Sequence, residues 1–339
     1  MRERIDWIDC TKGLGMLLVI YGHCVKFGGF MHNLIFAFHM PMFFLLSGLF
    51  LNKNNSFKDF TIKKMKALLL PYLYCFCLSL ILGAIYAVLQ SKSVSVSNVF
   101  EDLYLGVPRN VSSVWFLMCM FFTLLLCRII IAGPLFLQYF CVLILALFSC
   151  LFSVKFGSSQ AVNEFRLPLC LDVVPMASLF MHIGYIKKDE LFNFVDKLRY
   201  STRQLLVFIG LLFAFVSIVL LNGRVNLHGL DFNNVFLYVI EGLLGSVLCI
   251  CLCNYIQKNF LQLSKLLRYM GKNSIVILGA QAVLVRVYVV AVNKLCHTSY
   301  GLYGLPPVHV GIQFVFVFIG CLATIKFIDK LKKVVQVTR

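Results

Sequence analysis

Lys12 and His23 bound the stretch KGLGMLLVIYGH, and their types and spacing suggest chemistry. On an α-helix this separation is ~16 Å along the axis, and the two side chains fall within ~20° of one face. A lysine ammonium suits an anionic group such as phosphate. An imidazole with an ordinary pKa of ~6.5 suits removal of a hydroxyl proton. Gly15, Met16, Val19 and Gly22 line the same face, and small residues admit close approach of another chain or a ligand. A base at His23 stands here beside a plainer reading, a histidine packed and hydrogen-bonded inside a bundle.

The elements that must position such residues are membrane spans. With 60% hydrophobic and 13% charged residues and a mean hydropathy of +0.89, the composition excludes an ordinary soluble globule. Apolar runs predict ten spans, over 10–28, 33–51, 67–90, 113–131, 135–154, 168–186, 204–221, 234–255, 273–293 and 309–328. The first run lacks a small-residue cleavage site and leads into a second span, so it reads as a span and not as a signal peptide. On this count all but eight of the 31 Lys and Arg, from Arg2 and Arg4 to Arg339, share one side with both termini. The eight are Lys26, Lys92, Arg109, Lys155, Arg166, Arg224, Arg286 and Lys294. That bias predicts cytoplasmic termini and accounts for the net charge of +17 without a nucleic-acid surface. The expected fold is therefore an all-α integral membrane bundle of about ten transmembrane helices. It is read as one domain over 1–339 with no appended soluble domain. The 14 cysteines are scattered, and CICLC is too tight for a zinc motif. They read as small apolar fillers, and no metal site is expected.

Polar groups inside the spans concentrate on one side of this bundle. His23 is expected ~6–8 Å below the outer surface and His39, on the adjacent second span, ~9 Å below it. Pro41 would loosen the backbone beside His39. Asp172, Glu241 and Arg286 fall in the same outer half, whereas His182 lies near the inner end of the sixth span. Intramembrane charges usually face a bundle interior or a water-filled cavity. Plainer readings are a Glu241–Arg286 ion pair, a helix cap by Asp172 beside Pro175, and a packed His39. On the inner side, Lys58, Lys63, Lys64 and Lys66 precede an apolar helix whose start is marked by Pro71 and Tyr72. They suit either anionic lipid headgroups or the phosphates of a cytosolic ligand.

RIDWIDCTKGLGMLLVIYGH, FHMPMFFLLSGLF, KKMKALLLPY, VWFL and GKNSIVIL occur together in an order and spacing that resembles the acyltransferase 3 family. The likeness runs from Arg4 to the last span and looks closest to the fucose 4-O-acetylase-like branch. It implies a ten-helix enzyme of the bacterial inner membrane. Such an enzyme moves an acyl group, usually acetyl, from cytosolic acyl-CoA to a hydroxyl of an extracytoplasmic or lipid-linked glycan. No permanently bound cofactor is implied. The family's motif of a basic residue, a ten-residue spacer and a histidine falls on Lys12 and His23. Its cytoplasmic arginine pair falls on Lys63 and Lys66, where lysine keeps the charge without the bidentate fork. Relatives often carry a histidine where this chain has Gln281, so no catalytic role is carried to that helix.

Under this resemblance Lys63, Lys64, Lys66 and Lys12 hold the donor phosphates, and a pantetheine arm spans the ~16 Å to His23. His23 then acts as general base or transient acyl carrier. His39, Asp172 or Glu241 orients it or takes the proton, and Trp115 sits at the outer mouth or in an aromatic belt. Ser47 and Arg286 are candidate oxyanion donors. A transporter or flippase using the same polar layer is the alternative, although internal repeats and paired interrupted helices are not evident. The membrane half of an amino-acid racemase would need a soluble domain for which the chain has no room. The acceptor, the acyl group and the oligomeric state are left open by the residues.

Overall fold

The computed structural model describes residues 5–54, 56–89, 95–156, 166–302 and 304–337. Arg2, Arg4, Lys92 and Arg339, counted in the charge distribution above, lie outside them. The described residues form fourteen α-helices and no strand beyond an isolated bridge between Asn226 and Asp231. In chain order the helices are α1 (Asp6–Cys24), α2 (Phe30–Gly48), α3 (Phe57–Lys64), α4 (Leu70–Leu89), α5 (Val96–Leu105), α6 (Trp115–Ile130) and α7 (Leu135–Phe156). They continue with α8 (Val174–Ile186), α9 (Lys188–Asp196), α10 (Thr202–Asn222), α11 (Val235–Asn259), α12 (Leu261–Lys272), α13 (Ser274–Cys296) and α14 (Pro307–Val337). An all-helical fold suits a bilayer, because helices satisfy their own backbone polar groups where no water is available.

Among the described residues, nine helices are long and apolar enough to cross a membrane, and the protein is an integral multi-pass membrane protein. These nine match nine of the ten expected spans. The remaining one is α1, whose 19 residues begin with Asp6, Asp9 and Lys12 and are correspondingly less apolar. Its position also differs from the expected 10–28. The chain leaves the helix at Val25, which is extended, and then turns through the left-handed Gly28. His23 therefore occupies the last turn of α1, closer to the helix end than its spacing from residue 28 implied.

Pro71 does not start a helix as expected. Phe57–Val88 is one continuous helical stretch, with a π-helical turn over Met65–Leu69 that joins α3 to α4. A proline ring clashes with the carbonyl four residues earlier and supplies no N–H to it. Here that carbonyl belongs to Ala67, inside the widened turn, so the π turn absorbs the proline without breaking the helix.

The chain divides into two compact units, residues 1–35 with 249–339 and residues 36–248. In the first, α1 packs on α12, α13 and α14. Gly13 meets the Leu267 carbonyl and Gly271 meets the Asp9 carbonyl so closely that a Cβ at either position would overlap it. The α12 stripe of Ser264, Leu267, Met270 and Gly271 is buried, and Arg268 pairs with Asp6. Helices α13 and α14 run antiparallel. The Gln313 side chain donates to the Val285 carbonyl at 3.4 Å, the Tyr288 hydroxyl meets His309 Nδ1 at 3.3 Å, and Gly320 takes the Leu284 side chain.

In the second unit α2 and α8 interlock through reciprocal glycines, Gly48 against the Met181 carbonyl and Gly184 against that of Leu45. Pro41 and Phe38 pack against Gly242 and Gly245 of α11. Cross-ties at chain turns fix the ends. Arg128 donates to the Lys53 carbonyl at 2.8 Å, and Arg109 donates to buried Asp102 from both its backbone N–H and its Nε.

Candidate functional site

Helix α1 carries the first pair of candidates without interruption. Lys12 and His23 both lie within Asp6–Cys24 and are half-buried. The helical geometry expected from their spacing therefore holds, with one face and ~16 Å of rise between them. The close backbone approach on α1 is at Gly13, outside the expected stripe of Gly15, Met16, Val19 and Gly22, and its neighbour is α12. Around the His23 end of α1, Tyr21 meets Phe314 of α14 edge to face at 5.4 Å, and His32 acts electrostatically on His23. Arg286 is half-buried on α13, and Gln281 is almost wholly buried on the same helix.

The lysines and His39 belong to the second unit. Lys63 and Lys66 are exposed on either side of the boundary between α3 and the π turn, and Lys64 stands over the Phe60 ring at 5.5 Å. The placement of these lysines ahead of the helix is thus corrected, because they lie on it. His39 is 4% exposed and meets Phe36 edge to face at 4.8 Å. Ser47, a candidate oxyanion donor, gives its hydroxyl proton to the Phe43 carbonyl at 2.8 Å, so that proton is committed within α2. His182 is buried on α8 beside Tyr139 and Tyr185.

Asp172 is not a helix cap for Val174–Ile186. It is fully buried and both its carboxylate oxygens accept from Arg166, one from Nε and the other from Nη2 at 3.2 Å. Two consecutive left-handed residues, Leu169 (φ 55°) and Cys170 (φ 58°), fold the chain back between them. Non-glycine residues adopt this conformation at a cost, and such strain clusters at sites where geometry matters. Gly106, itself left-handed at φ 71°, packs against Leu169 Cα and supports the turn.

Glu241 is fully buried and takes a hydrogen bond from the neutral amide of Asn222, Nδ2 to Oε1, at 3.0 Å. Asn222 also donates to the Phe232 carbonyl and accepts from the Asn234 backbone N–H at 2.9 Å. It thereby ties Glu241 to the loop 223–234. Arg224 and Asp231 pair across that loop at 2.7 Å.

The same loop presents His228, whose ring centroid lies 4.6 Å from that of Trp115 at the start of α6, tilted by 38°. Burial, reinforced by the Arg166 cation, pushes the His228 pKa down to about 3. His228 is therefore a neutral imidazole at physiological pH, and its Nε2 is shielded from water with no hydrogen-bond partner among the described residues. Trp115, Asp172, Arg166 and His228 thus form one cluster on the second unit. Sequence reasoning singled out only the first two. Arg166 was visible as one of eight cations against the charge bias, and His228 only as the histidine of a loop rich in Asn, Asp and Gly.

Comparison with known proteins adds one match. A family model described as an acyltransferase domain, of the type numbered 3, matches residues 5–326. No curated protein and no solved structure matches.

Proposed function

Because this chain belongs to the acyltransferase 3 family, we propose that it is an O-acetyltransferase of the bacterial inner membrane, carrying acetyl from cytosolic acetyl-CoA to a hydroxyl of an extracytoplasmic or lipid-linked glycan. The observation that supports this reading best is the unbroken α1, which presents Lys12 and His23 on one face ~16 Å apart. Lys12 and the lysines of the α3 end and π turn, Lys63, Lys64 and Lys66, offer charge to the donor phosphates. Anionic lipid headgroups share the same surface. The pantetheine arm then carries the thioester to His23 while the nucleotide stays in the cytosol.

In the proposed step His23 takes the proton of the acceptor hydroxyl as its oxygen attacks the thioester carbonyl. The new C–O bond forms, the C–S bond breaks, and the departing CoA thiolate takes up a proton. General-base assistance of this kind contributes typically ~10²–10⁴-fold. The test is a strain carrying His23→Ala, its membrane level checked by blotting and its surface glycan examined by NMR. Loss of the O-acetyl signal at normal protein level supports the reading, and a retained signal removes His23 as base.

A further inference from the structure

Helix α5 stands between two spans, Phe57–Val88 and Ser112–Ile130, and has only ten residues of its own. Ten residues rise ~15 Å, about half of a ~30 Å hydrocarbon core, so α5 does not cross the membrane. The end of α4 and the start of α6 meet one membrane surface, and α5 therefore lies at that surface. By the charge bias of the chain it is the extracytoplasmic one.

The faces of α5 are inverted relative to those of a helix packed on a core in water. Val96, Phe100, Leu103 and Tyr104 share an arc of ~100° on the helix. All four are exposed, Phe100 by 67%. The buried member is an aspartate: Asp102, 5% exposed, accepts from Arg109 Nε at 2.9 Å. Arg109 also pairs with Glu101 at 3.1 Å and donates to the Asn98 carbonyl at 3.0 Å, which fastens the polar side. An exposed apolar stripe rimmed by polar residues marks a contact with a protein or a membrane.

The neighbouring element favours the membrane. Helix α4, which leads to α5, is exposed at Ile81, Ile85 and Val88, the lipid-facing side of a span that ends at the same surface. The α5 stripe carries no charge, and its aromatic members suit the headgroup level, where Tyr places a polar tip beside an apolar ring.

We infer that α5 lies along the outer-leaflet interface, with Val96, Phe100, Leu103 and Tyr104 among the lipid acyl chains and Glu101 turned to water. The inference goes beyond the proposed reaction and does not depend on it. The other side of α5 holds the left-handed turn that brings Arg166 to Asp172. Cys170 Sγ donates to the Leu105 carbonyl at 3.3 Å, and the Tyr104 hydroxyl donates to the Arg166 carbonyl at 3.3 Å. The lipid surface thereby fixes the depth of that turn, and with it of the cluster of Arg166, Asp172, His228 and Trp115.

The test places one tryptophan on either face of α5, in the full chain with Trp7 and Trp115 replaced by phenylalanine, reconstituted in nanodiscs. Phosphatidylcholine brominated on its acyl chains quenches from the hydrocarbon side, and acrylamide quenches from water. Phe100→Trp is expected to lose about half of its emission or more to the bromolipid and little to acrylamide, because an interfacial helix buries its apolar face ~5–10 Å into the boundary. Glu101→Trp, ~100° further round the helix, is expected to show the reverse order. Val96→Trp carries the same comparison if Phe100→Trp lowers the folded yield. Acrylamide quenching of Phe100→Trp as strong as that of Glu101→Trp overturns the inference by placing the stripe in water. Quenching by neither agent also overturns it, because the stripe is then covered by protein, a second copy of the chain included.

Discussion

The imidazole of His228 lies against the indole of Trp115, 4.6 Å between centroids, beside an Arg166 that is itself locked to fully buried Asp172. The arrangement joins three stretches distant in sequence and holds His228 neutral.

That neutrality has a stability consequence. The folded pKa of His228 is about 3 against an ordinary 6.5, so below pH 6.5 the unfolded chain binds a proton that the folded chain refuses. Its contribution is intact above pH 6.5 and declines as pH falls toward 3. At pH 5.5 the loss is ~1 kcal/mol. Thermal unfolding in detergent at pH 7.5 and 5.5 is expected to show a smaller acid-induced drop for His228→Gln than for the parent. An equal drop would contradict the assignment.

Asp172→Asn should be severe, because it leaves Arg166 half-buried without its counter-charge. Breaking one partner of a buried pair costs ~3–5 kcal/mol, whereas removing both partners is often neutral. Arg166→Met combined with Asp172→Leu should therefore recover most of the folded yield lost in the single variant, as read by size-exclusion chromatography.

Glycine substitutions separate contact from conformation. Gly271→Ala places a methyl on the Asp9 carbonyl and should reduce folded yield strongly. Gly210→Ala, on α10 with nothing within 4 Å of its Cβ position, should be neutral or gain up to ~1 kcal/mol from helix propensity. Thermal midpoints of the two variants give the comparison.

Pro71→Ala restores an N–H and removes the ring that opposes the Ala67 carbonyl. The π turn should then revert toward α-helix and rotate Lys66 relative to Lys63. On the proposed function the expected result is a KM for acetyl-CoA raised several-fold with the acceptor KM unchanged, measured by thiol release. No change in the donor KM would detach the π turn from donor binding.

Much of this architecture was legible in the sequence. Apolar length and charge bias marked the spans, and the periodicity of α1 put Lys12 and His23 on one face. What escaped was set by irregular backbone. The left-handed Leu169 and Cys170 bring Arg166 to Asp172, and no periodic pattern announces such a turn. Asn222 reaches Glu241 only because the intervening loop folds back on itself. Pro71 was read as a helix start because proline commonly occupies the first turn, and the π turn that accommodates it has no comparable signature. Gln281 drew notice only as a departure from a family pattern, and Gln313 drew none.

The backbone-to-backbone seating of α12 on α1 leaves no slack between the two rods. Anything that tilts α12 must carry α1 with it, because a seam with no side chain between the backbones cannot absorb the motion.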